Sequence, residues 1–165
     1  MKKIIAAFLM AYAAYSCGSI TFNMSGASIG NAKTCQVVYF ENRTGFNPRL
    51  STLMTDALKD KIQSSSSLRL VNNNADVMFE GEITGYTVQP QQITMSGTAE
   101  KDRLTVTVKV KFTNELDNEK NYDKSFSRFR EYPGGSSLNS VEGQLIDEIL
   151  TELMEDIYNE AFASW

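Results

Sequence analysis

The side chains able to do chemistry fall into three groups. Two cysteines, Cys17 and Cys35, are candidate nucleophiles or modification sites. Asp147, Glu148, Glu152, Glu155 and Asp156 crowd one late stretch, and six bases, Arg103, Lys109, Lys111, Lys124, Arg128 and Arg130, lie on two segments of alternating character. There is no histidine. Its absence excludes Ser-His-Asp and Cys-His catalysis, every histidine-containing zinc site, and the side chain best suited to proton transfer at neutral pH. Two cysteines cannot build a four-thiolate metal site or a multi-bridge scaffold, and no Gly-rich phosphate loop or internal repeat is visible. What remains is carboxylate-only catalysis, anion contact by the bases, and modification of a cysteine.

Cys17 closes an N-terminal segment with the form of an export signal. Lys2 and Lys3 precede an apolar run from Ile4 to Ala14, and small or polar residues lead to the cysteine. Eleven apolar positions fall short of the about 20 that a permanent membrane helix needs, so residues 1–16 read as a removed signal peptide. A retained anchor or a buried first helix is the competing structural reading. Ala14-Tyr15-Ser16-Cys17-Gly18 resembles the lipobox of bacterial lipoproteins, in which the cysteine becomes the N-terminus and carries a diacylglycerol and an acyl chain such as palmitate. Ser16 and Gly18 fit that pattern, whereas Ala14 stands where Leu is usual and Tyr15 is bulky for its place. An ordinary secretory cut near Ala13 or Ser16 is the alternative. Acylation would leave Cys35 as the one free thiol, and a lone cysteine opening an apolar strand reads as a small buried hydrophobe.

These residues need elements to hold them. Arg103 to Phe112 alternates without a break, with Leu104, Val106, Val108, Val110 and Phe112 on one face and Arg103, Thr105, Thr107, Lys109 and Lys111 on the other. Period two means a half-buried strand. Asp76 to Val88 alternates more loosely, with Val77, Phe79 and Ile83 on one face and Glu80, Glu82, Thr84 and Tyr86 on the other. Glu80 and Glu82 are expected to meet Lys109 and Lys111 across the ladder. The connection Gln89 to Asp102 reads as a long loop, functional or mobile, with Ile93 and Met95 exposed for a partner; a frayed hairpin extension is the plainer account. Asn121 to Glu131 reads as a third, less buried strand after a polar turn, and Thr34 to Phe40 as a short strand buried on both faces.

Two amphipathic helices supply a cover. Asn47-Pro48 reads as the start of one, with Asn47 as cap and Leu50, Leu53, Met54, Ala57, Leu58 and Ile62 as its apolar stripe. Pro133-Gly134-Gly135-Ser136 ends the sheet, and Asn139 with Glu142 resembles a capping box for a second helix. There Val141, Leu145, Ile149, Leu153, Ile157 and Ala161 form a stripe widened by Leu138, Ile146, Leu150, Met154, Tyr158, Phe162 and Trp165. The carboxylates of this helix read as a solvated outer face. The chain is thus expected to be α+β, two helices on a four-stranded, mostly antiparallel sheet in the order β-α-β-β-β-α.

With 165 residues and 42% hydrophobic content, one domain with a real core is expected. Residues 17–33, rich in Ser, Asn and Gly, read as a tether and 34–165 as the domain. The net charge of −4 falls to −6 when Lys2 and Lys3 leave with the signal. An acidic domain with no basic run longer than two residues is a poor nucleic-acid binder.

The whole mature chain resembles the LptE family of lipopolysaccharide-assembly lipoproteins. The residues carrying the resemblance are Gly26-Ala-Ser-Ile29, Pro48-Arg-Leu-Ser51 leading into Ala57-Leu-Lys-Asp-Lys61, Phe79-Glu-Gly-Glu-Ile-Thr-Gly-Tyr86, Arg103 through Asn114, Asp156-Ile-Tyr-Asn-Glu-Ala161 and Trp165. The resemblance implies a non-enzymatic body without cofactor, acylated at Cys17 and held on the periplasmic side of the outer membrane. It also implies lodging in an LptD-like β-barrel and aiding lipopolysaccharide on its way to the outer leaflet. The strand bases Arg103, Lys109, Lys111, Lys124, Arg128 and Arg130 are candidates for contact with the barrel or with lipid phosphates; neutralisation by neighbouring glutamates is the plainer reading. A lipid-anchored binding module for glycans or small molecules, with its site at Gln89–Asp102, and a carboxylate-dependent hydrolase are the rival functions.

Overall fold

A computed structural model describes residues 31–93 and 99–162 of the chain. The signal segment, Cys17, most of the 17–33 tether, Met95 and Trp165 lie outside the described residues. The elements are β1 (Thr34–Val37), β2 (Glu41–Asn42), α1 (Leu50–Ser65), β3 (Arg69–Leu70), β4 (Val77–Ile93), β5 (Ala99–Asn114), β6 (Tyr122–Pro133) and α2 (Leu138–Phe162). The sheet order is β3-β1-β4-β5-β6, with β2 also beside β4. Strands β4, β5 and β6 form an antiparallel meander, while β1 runs parallel to both β3 and β4. The expected two helices on a mostly antiparallel sheet are there. The strand count differs because β2 and β3 have only two residues each, too few to leave a period in the sequence.

Strand β5 is the centre of the packing. Leu104, Val106, Val108 and Val110 are fully buried and Phe112 nearly so, and the helices cover that face. Phe112 lies against Phe79 (4.8 Å between ring centroids) and edge-on to Phe162 of α2 (5.7 Å). Ten residues of α2 are buried, from Leu145 to Phe162, more than a single seam needs, because the helix packs on the sheet and on α1 together. The two helices run parallel: Asn47, just before α1, bonds Glu142 near the start of α2, and Tyr158 Oη donates to the Ser65 carbonyl near the other end.

Strand β4 departs from simple alternation. Its register against β5 slips between Ile83 and Gly85, leaving Thr84 as an extra residue. A bulge of this kind exchanges the faces for everything beyond it. Tyr86, expected outside with Glu80 and Glu82, therefore turns inward and is buried. The Gln89–Asp102 connection is also largely ladder, with backbone pairing continuing to Ile93 opposite Ala99. The hairpin extension is the correct reading up to those residues, and the long loop is not.

Three further expectations are corrected. Thr34 to Phe40 is not one strand buried on both sides: β1 stops at Val37, Tyr39 is exposed, and Cys35 and Phe40 face the single core. Asn47 does not cap α1; its backbone is left-handed (φ 41°) and its side chain crosses to Glu142, while Arg49 occupies the cap position without a side-chain bond. Glu142 is likewise drawn away from any capping box. A different polar clamp fastens β1 to β4: Asp76 Oδ2 accepts from the Lys33 and Thr34 amides (2.8 and 2.9 Å) and from the Thr34 hydroxyl (2.9 Å), whose oxygen accepts from the Asp76 amide.

Phe40 occupies space that a side chain on Gly81 would need. A methyl at Gly81 would approach the Phe40 ring to 2.2 Å, too close for any real contact. Gly81→Ala is expected to destabilise the fold by about 1–3 kcal/mol through overpacking. Combined with Phe40→Leu, it is expected to cost less than the sum of the two single changes, since both act on one site. Denaturant midpoints of the four proteins test this, and strict additivity would refute it.

Candidate functional site

The six candidate bases do not share one surface. Arg103, Lys109 and Lys111 point from β5 to the open face of the sheet, whereas Lys124, Arg128 and Arg130 point from β6 towards the helices. A strand advances about 6.6 Å per two residues and a helix about 6 Å per four, so bases at every second position of β6 meet acids at every fourth position of antiparallel α2. Arg128 makes a two-pronged contact with Asp156 (2.6 and 2.7 Å). Arg130 joins Glu148 and Glu152 (2.8 and 2.6 Å), and Lys124 reaches Glu160. Tyr122, Phe126 and Tyr132 also turn from β6 to the core.

The expectation of a solvated carboxylate face on α2 therefore needs correction. Glu148, Glu152 and Asp156 are half-buried and engaged with the sheet; Asp147 and Glu155 alone of the five are exposed. The signal was present in the sequence as Glu148, Glu152, Asp156 and Glu160 at four-residue spacing opposite Arg128-Phe129-Arg130. Reading it required knowing that β6 and α2 are neighbours.

On the open face the bases are paired too. Lys111 meets Glu80 (2.9 Å), as expected from the ladder, and that hydrogen bond raises the lysine's pKa. Lys109 stands opposite Glu82 in register but bonds Asp123 (3.0 Å), because Glu82 is held by Arg43 (3.3 Å). Arg103 bonds Glu131 (2.6 Å) and lies 4.0 Å from the centre of the Phe129 ring. Lys109 and Lys111 border a shallow groove of about 320 Å³ with Tyr39, Glu41, Glu80 and Asp123.

A second polar cluster escaped the sequence reading. Tyr86 Oη donates to Glu142 Oε1 (2.5 Å), the same oxygen that accepts from Asn47 Nδ2 (2.9 Å), and Phe46 stacks on the Tyr86 ring. Burial first, then the glutamate, raises the Tyr86 pKa far above its ordinary value. The phenol stays protonated and ties the hairpin, the lead into α1 and the start of α2 together. The alternation that placed Tyr86 outside hid this contact.

Cys35 is fully buried, and burial pushes its thiol up to about 12. It is a neutral core side chain at physiological pH, as expected. Among the described residues, no three Asp, Glu or Cys side chains are grouped to hold a metal ion, and no helix is long and apolar enough to cross a membrane.

The body is thus an α+β domain with a mixed sheet, two parallel helices on one side, and charged groups largely spent on one another. Residues 32–161 match the family model for LptE, described as lipopolysaccharide-assembly, and the chain belongs to that family. No curated protein gives a significant sequence match. Solved structures share the fold at low identity. A hypothetical protein from Chlamydia trachomatis superposes with a TM-score of 0.56 at 12% identity, covering 81% of this chain and 99% of that one. The rare lipoprotein B from Shewanella oneidensis gives 0.55 at 9%, covering 75% and 91%. An uncharacterized lipoprotein B from Nitrosomonas europaea gives 0.54 at 11%, covering 76% and 79%.

Hydrogen bonds, from Arg130 to Glu152 and from Gln144 and then Arg130 to Glu148, hold both carboxyls below their ordinary 4.5. A lowered folded-state pKa contributes stability that is complete above the unfolded value and lost as pH falls through the folded one. Thermal stability is therefore expected to drop on acidification below about pH 4.5, and Glu148→Gln with Glu152→Gln is expected to flatten that dependence. Melting curves at low salt across this range check it; an unchanged acid slope in the double variant would show that the ladder is not the source.

Proposed function

We propose that this protein is a non-enzymatic outer-membrane lipoprotein that lodges in an LptD-type β-barrel, helps assemble it, and so assists lipopolysaccharide transport to the outer leaflet. The family match across residues 32–161 carries this reading. In it, residues 1–16 are removed, Cys17 is acylated and anchors the chain, residues 17–33 form the tether, and 34–165 is the plug. Several acyl chains at about 0.8 kcal/mol per buried methylene make such an anchor effectively permanent. Gly18, with no acidic run behind it, suits outer-membrane sorting with the body facing the periplasm. No cofactor is required.

The internal pairing of charges suits such a role. A body that occupies another protein's lumen needs a fixed shape, and the buried α2 face and the Tyr86–Glu142–Asn47 tie supply one. Lipopolysaccharide phosphates are assigned to the open sheet face, at Arg103, Lys109 and Lys111. Lys124, Arg128 and Arg130, engaged with α2, serve that contact less directly.

Extraction of the native membrane with mild detergent is expected to yield this chain together with a large β-barrel protein. Recovery as a free, unacylated monomer would overturn the proposal. For the contact residues, Lys109→Ser with Lys111→Ser is expected to weaken lipopolysaccharide binding several-fold at low salt, with the difference shrinking as salt is added. Unchanged binding at low salt would remove the open face from the account.

A further inference from the structure

The side of the helix layer facing away from the sheet carries a groove of about 530 Å³ between α1 and α2. Its floor is apolar: Leu53 and Ala57 from α1, Leu150 and Met154 from α2. Its rim is acidic, with Asp56 and Asp60 on one wall and Asp147 and Glu155 on the other. Lys61 is the single base lining it and is already drawn to Glu155 (3.7 Å). Asp56, Asp60 and Asp147 make no ion pair among the described residues, in contrast to the acids facing β6.

We propose that this groove is a docking site for a cationic amphipathic helix of a partner protein, with an apolar stripe on the floor and lysines or arginines against the rim. The helices run parallel, so the groove is straight, and the stretch from Leu53 to Ser64 gives it a length of about 16 Å, three turns of an incoming helix. Its walls are helices with no free strand edge, so the recognition is helix in groove and not strand addition. Charge selects the occupant. A second copy would set acidic rim against acidic rim, and an anionic lipid surface would be repelled, whereas a basic helix neutralises the three unpaired aspartates. The site lies on the opposite side from the open sheet face assigned to lipopolysaccharide phosphates, and the experiment reads it on the chain alone.

The test uses the purified full chain and a labelled synthetic helix of leucine and lysine, about 18 residues long with one apolar face, followed by fluorescence anisotropy at low salt. Saturable one-to-one binding is expected, with no binding of the matching leucine–glutamate helix. Asp56→Asn with Asp60→Asn and Asp147→Asn is expected to weaken it about tenfold or more. Ala57→Trp, which fills the floor without changing charge, is expected to do the same, and Thr151→Trp on the facing wall serves if the first variant melts early. Wild-type affinity in the folded tryptophan variant would mean that cationic peptide sticks to acidic surface at large, and would overturn the proposal. So would wild-type affinity in the neutralised variant, equal binding of the glutamate helix, or self-association of the chain abolished by the tryptophan, which would assign the groove to a second copy.

Discussion

Everything in this fold answers to the inward row of β5. Leu104, Val106, Val108, Val110 and Phe112 present one continuous apolar face that must leave water. Each such side chain contributes about 1.5–3 kcal/mol when buried, so the row and its cover outweigh the ion pairs, at about 0–1 kcal/mol apiece in half-exposed settings. Strand β4 and β6 supply the flanks and α2 the lid. The width of the α2 apolar face follows, because a lid that also meets α1 must be apolar round more than one stripe.

Charge adds a second fastening between β6 and α2. The near match between two strand residues and four helical residues lets Arg128 and Arg130 engage Asp156, Glu152 and Glu148 together, whereas the neighbouring positions Ile149, Leu153 and Ile157 face the core. The ladder is half-exposed and links the sheet edge to the helix layer. The Thr84 bulge has a similar part on the other flank of β5. By turning Tyr86 inward it brings a phenol to Glu142, and so joins the far end of the hairpin to the start of α2.

For function, the consequence is a body whose charged groups are mostly committed internally and whose two sides differ. The sheet side is polar, rich in Thr and Ser, and dotted with paired bases; the helix side holds an apolar groove with uncompensated acids. This is the body on which a member of the lipopolysaccharide-assembly family LptE is built.

The alternation of Arg103 to Phe112, the stripes of both helices and the Pro133–Ser136 break were readable directly, because period and turn chemistry are local properties of the chain. So was Cys35 as core, and so was the Glu80–Lys111 pair, since neighbouring antiparallel strands put those faces together. The inward turn of Tyr86, the loss of Asn47 and Glu142 as caps, the division of the six bases between two faces and the engagement of the α2 acids with β6 were not readable. Each depends on a single inserted residue or on elements distant in sequence coming side by side. One bulge reverses a face without altering composition, and an acid spaced for solvent looks the same as an acid spaced for a strand until the strand is known to lie beneath it.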